Sequence, residues 1–212
     1  MSTPQVPHQP PRSLRPMFDA APLPTTVFGP QDITWWGTLG FMVIEGTTLA
    51  VGLSTYLYLW KNFSEWPPAP LREPGVLAPT LNLLLLLVTM LPMALAGRAA
   101  KRYDRDGSIR WLLVASLCSV GTLVLRFFEF KALNVRWDTN AYGSVVWFTL
   151  GIHTTLVITD LVECLVIAAL FAFGPWEEKH FSDVDDSASY QYFLSLSYVV
   201  VFLVIFLLPR WG

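Results

Sequence analysis

Residues 142–173 read YGSVVWFTLGIHTTLVITDLVECLVIAALFAF, and this stretch decides the fold. At a rise of about 1.5 Å per residue, a helix of this length more than crosses a hydrocarbon core of about 30 Å. His153, Asp160 and Glu163 lie inside the apolar run. Ionisable groups at membrane depth are costly and normally face a protein interior or a water-filled cavity. A helix that carries three of them requires partner helices.

The flanking sequence supplies them. Upstream, residues 109–130 form an apolar span with Arg126 and Glu129 near its end, and residues 76–97 form another with Pro92 in its last turns. Residues 33–60 read as a span with Glu45 near the middle and Trp35, Trp36, Tyr58 and Trp60 at its ends, where interfacial aromatics belong. Downstream, Gly174-Pro175 stops the central helix, an acidic loop (WEEKHFSDVDDSAS) follows, and residues 190–208 give a fifth span. The expected fold is therefore all-α, an integral membrane bundle of five transmembrane helices. Residues 1–32 are rich in proline, which forbids a regular helix, and are expected to form an arm along the membrane surface or a partner. That arm lacks the apolar segment of a cleavable signal peptide.

Composition agrees. The chain has 212 residues, 53% of them hydrophobic and 14% charged, against about 25% charged in soluble domains. A formal net charge of −2 gives no reason to expect a nucleic-acid partner. Cys118 and Cys164 both lie in apolar runs without zinc or redox spacing and read as packed thiols. With five spans, Arg12, Arg15, Arg98, Lys101, Arg102, Arg105, Arg110 and Lys179 share one side, and Lys61, Arg72, Lys131, Arg136 and Arg210 the other. The larger basic group favours a cytoplasmic N-terminus and a C-terminus outside.

The polar groups inside the spans admit four readings. They pair with one another and fix helix packing. Alternatively, Arg126 lines a cleft that takes a phospholipid head group. A third reading is a proton path, since Asp, Glu and His chains mark relays. The fourth is a carboxylate–histidine metal site from Glu45, Glu129, His153 and Glu163, which lacks a Glu-x-x-His pair. Haem ligation fits poorly, because His153 has no second histidine within the spans. No nucleophile elbow, phosphate loop or metalloprotease motif occurs, so no catalytic residue is expected. A stand-alone proton-coupled transporter is a reading of another class, but the chain has no internal repeat to alternate.

Four stretches carry a family resemblance. WWGTLGFMVIEGTTLA, with Glu45, is similar to a tryptophan-rich start leading to a mid-membrane glutamate. PTLNLLLLL, with Asn82, resembles a Pro-x-x-Asn-Thr opening, and RFFEFKAL, with Glu129, a Gln-x-x-Glu-Tyr end. In YGSVVWFTLGIHTTLVI, the residues Tyr142, Gly143, Ser144, Gly151, His153 and Val157 match a Tyr-Gly-Ser to His signature in spacing. The chain thus resembles the cytochrome c oxidase subunit III family of haem-copper oxidases, in a five-span bacterial form, from about Thr34 onward. It departs at Arg126, Leu156, Asp160 and Gln191 to Ser195, and it lacks counterparts of the first two spans of the seven-span form.

The resemblance implies a non-catalytic subunit of an aerobic respiratory, electron-transport complex in the bacterial plasma membrane. Its partners would be subunits I and II, which hold the haem and copper, with structural phospholipid bound and proton uptake supported. An accessory subunit of a nitric oxide reductase is the neighbouring alternative. Within the bundle, Glu45 is expected to hydrogen-bond His153, and Arg126 to pair with Glu129 or Asp160.

Overall fold

A computed structural model describes residues 26–175 and 177–211. The proline-rich arm expected over residues 1–32 lies outside the described residues up to position 25. Its remainder holds a short 3-10 turn at Gly29–Gln31.

Five helices follow: α1 (Ile33–Asn62), α2 (Leu77–Ala100), α3 (Arg105–Ala132), α4 (Ala141–Phe173) and α5 (His180–Phe202). Beyond α5 the chain continues as a π-helical segment, Leu203–Leu207, and a 3-10 turn, Leu208–Arg210. No strand occurs among the described residues. All five helices are long and apolar enough to cross a membrane.

The helix starts follow from capping. Asp32, Asp104 and Asn140 accept hydrogen bonds from the amides of Thr34, Gly107 and Gly143, satisfying donors that the first turns leave open. The Tyr142-Gly143-Ser144 motif is the first turn of α4. A Cβ on Gly143 would lie 2.2 Å from the Arg136 carbonyl, so only glycine lets the preceding loop approach this closely. Ser144 Oγ donates to the Trp137 carbonyl at 2.8 Å and fastens the same loop. At the other end of α4, Arg105 Nε and Nη2 donate to the carbonyls of Phe171 (2.6 Å) and Ala172 (3.2 Å), so the start of α3 caps the end of α4.

The largest difference from expectation is at α5. It begins at His180, within the stretch expected as an acidic loop and well before residue 190. The reason is a helical period beneath the charges. Phe181, Val184 and Ala188 are buried along one face, while Asp183 and Asp185 lie toward its edge. Phe181 packs against Phe171 of α4, with ring centroids 4.9 Å apart, and Lys101 meets Asp185 at 2.9 Å.

Helices α2, α3, α4 and α5 pack as a ring, each against two neighbours, and α1 lies outside it against α4 and α5. The polarity is that of a membrane bundle. Leu84, Leu91, Leu117, Val124, Phe127 and Val166 point outward, whereas Asn82, Thr89, Thr122, Arg126, Glu129 and Gln191 are buried. Water would oppose so large an apolar exterior, and hydrocarbon favours it. The chain is a multi-pass membrane protein.

Candidate functional site

The ring interior holds a cluster built from α3, α4 and α5. Arg126 and Glu129 stand three residues apart on α3 and share its inner face. Arg126 Nη1 donates to Glu129 Oε2 at 2.5 Å, and its Nη2 meets His153 Nδ1 at 2.9 Å. A guanidinium only donates, so His153 Nδ1 accepts. That fixes the tautomer: the proton sits on Nε2, which donates to the Leu194 carbonyl of α5 at 3.0 Å. Tyr198, also on α5, donates its hydroxyl to Glu129 Oε1 at 2.7 Å and places its ring 4.5 Å from the Arg126 guanidinium carbon. Arg126, Glu129, His153 and Tyr198 are all buried.

Charge balances within this cluster, and most of its hydrogen-bonding positions are met, although Arg126 Nε has no partner among the described residues. One cation faces one carboxylate, and the carboxylate takes two donors. Both nitrogens of His153 are committed, which leaves the imidazole no free position for proton exchange or metal ligation. Burying an ion pair is tolerated when most of the remaining polar positions are met in this way. The arrangement ties three helices at one level.

A second contact ties α1 to the bundle. Tyr190 of α5 donates its hydroxyl to Glu45 Oε2 at 2.6 Å. The expected bond between Glu45 and His153 does not form. His153 turns toward α3 and α5 inside the ring, while Glu45 approaches from outside it. The pairing of Arg126 is with Glu129 and not with Asp160.

Asp160 is buried near α5, and its Oδ1 has no hydrogen-bond partner among the described residues. One turn on, Cys164 Sγ lies 3.4 Å from Ser187 Oγ. Glu163, expected to face inward, is on the exposed side of α4. A step of three residues leaves Glu163 about 60° around the helix from Asp160, which is enough to carry it from the buried face to the edge beside the cleft. It borders a cleft of about 350 Å³ between α1, α4 and α5, with Thr34, Thr38, Thr159 and Tyr190. Glu45, Glu129, His153 and Glu163 therefore do not converge. Among the described residues, no group of three or more His, Cys, Asp or Glu side chains has an arrangement that could hold a metal ion.

Tyr190 and Tyr198 were missed in the sequence as functional partners. Their spacing of eight places both on one face of α5, and that signal was available. Gln191 and Ser195, a turn apart, form a third polar contact: Gln191 Nε2 donates to Ser195 Oγ, which donates to the Leu86 carbonyl of α2 at 3.0 Å.

No protein-family model matches the chain. It is similar to a cytochrome c oxidase subunit 3 of Thermostichus vulcanus, with 22% identity over 175 residues. That alignment covers 82% of this chain and 87% of the relative. A five-helix membrane bundle braced by buried polar pairs thus shares a distant similarity with that oxidase subunit along most of its length.

Proposed function

We propose that this chain is a non-catalytic subunit of a respiratory haem-copper oxidase of the cytochrome c type, the counterpart of subunit III. The observation that carries the reading is the similarity to an oxidase subunit 3 over most of both chains. The geometry is compatible with it. His153, Arg126, Glu129 and Tyr198 are spent on one another, which suits a bracing subunit better than a reaction centre.

In this reading the haem and copper reside in subunits I and II, and the chain stabilises them, holds phospholipid and supports proton uptake. The basic residues Lys101, Arg102, Arg105 and Arg110 around the turn between α2 and α3 support a cytoplasmic N-terminus and a bacterial plasma-membrane location. Deletion of the chain tests the role. Membranes without it should retain spectroscopically intact haem but lose cytochrome c oxidase activity progressively during turnover, and restoring the chain should prevent the loss. Unchanged activity and durability would refute the role.

A further inference from the structure

We infer that a groove at the C-terminal end of α3 is a binding site for one anionic phospholipid. The inference rests on the membrane reading of the bundle and deepens the proposed phospholipid-holding role by placing one lipid, while its test does not depend on which complex the chain serves.

The groove, of about 640 Å³, opens where α3 ends and the connection to α4 begins. Its walls are apolar: Leu71, Phe127, Phe130 and Trp147. The rings of Phe130 and Trp147 pack at a 30° tilt with centroids 4.5 Å apart, and the indole N–H of Trp147 donates to the Val135 carbonyl at 2.8 Å, so the wall is fixed. Phe127 continues the wall onto the exterior of α3, where an acyl chain would run.

The rim is cationic. Lys131 and Arg136 border the groove, and no Asp or Glu lines it. Arg136 is held by Asp138 at 2.9 Å. Lys131 makes no ion pair among the described residues, and its ammonium sits 4.4 Å above the Phe127 ring. The side chains of Asn134 and Thr139 supply further polar groups at the same level.

Depth supports the assignment. A helix of 28 residues is about 42 Å long, which exceeds the hydrocarbon core and carries the last turn of α3 into the headgroup layer. Lys131 lies in that last turn. A phosphate at Lys131 with acyl chains against Phe127 matches both the charge and the apolar surface, and the apolar walls favour a lipid over free phosphate. Each interfacial cation contributes about 1 kcal/mol toward an anionic lipid, or about fivefold in affinity.

The test is native mass spectrometry of the detergent-solubilised chain titrated with phosphatidylglycerol, phosphatidylcholine or inorganic phosphate. The expected result is one phosphatidylglycerol bound per chain in preference to phosphatidylcholine, with no retained phosphate. Lys131→Gln should weaken that binding about fivefold, and Arg136→Gln should weaken it as well. Lys61→Gln should leave it unchanged: Lys61 also sits over an aromatic ring, Trp60, but outside the groove. Equal binding by wild type and Lys131→Gln, equal affinity for phosphatidylcholine, or an equal loss in Lys61→Gln would overturn the assignment. So would a photoreactive group at Thr139 that cross-links to polypeptide and not to lipid in native membranes.

Discussion

Replacing Arg126 by glutamine perturbs the buried cluster at its centre. The shorter, neutral side chain cannot bridge Glu129 and His153 together. Glu129 would then remain fully buried, with the Tyr198 hydroxyl as its donor. Removing one member of a buried pair costs about 3–5 kcal/mol, because the other charge is stranded in a poorly solvating interior. For a chain of this size that is a fall in Tm of roughly 6–20 °C. The second substitution is Glu129→Gln, which removes the stranded charge. The double variant should therefore be more stable than Arg126→Gln alone, a sign reversal that simple loss of packing does not produce. Thermal scans with fluorescence-detected size exclusion in detergent measure both variants. If Arg126→Gln stays within about 0.5 kcal/mol of wild type, or if the two substitutions add without coupling, the cluster does not brace the bundle.

Other expectations follow from single contacts. Tyr190→Phe removes the donor to Glu45 and should destabilise by about 1–2 kcal/mol, with most of the loss absent in a Glu45→Leu background; a double-mutant cycle reads this. Gly143→Ala would drive a Cβ into the Arg136 carbonyl and should cost about 1–3 kcal/mol, whereas Gly151→Ala, with nothing within 4 Å of the added atom, should be close to neutral. Thermal scans of the two variants decide it. Cys164 is 2% exposed and Cys118 lies partly open on the outer side of α3, so a membrane-permeant maleimide should modify Cys118 first. Peptide mapping after brief labelling checks the order.

The five-helix architecture was legible because hydrocarbon-facing helices must be apolar over a fixed length, and that constraint writes itself into composition. The bond from Arg126 to Glu129 was equally legible, since three residues along one helix determine proximity without knowledge of the neighbours. Contacts between helices were not. Whether Glu45 meets His153 or Tyr190 depends on how far each helix is rotated about its axis, and the hydrophobic pattern of a helix apolar all round does not fix that rotation. The same ambiguity put Glu163 inside when it lies outside. At α5, the dense run of carboxylates outweighed the period of Phe181, Val184 and Ala188, although the buried apolar face determines where the helix begins and even Asp186 is buried with it.

The central claim is that the chain serves a haem-copper oxidase, and isolation from native membranes through a tag on the chain tests it most directly. Metal and haem analysis of the purified material should find haem and copper together, with cytochrome c oxidase activity. Haem with non-haem iron would assign the chain to a nitric oxide reductase, and isolation free of both haem and copper would contradict a role in either complex and favour a stand-alone transporter.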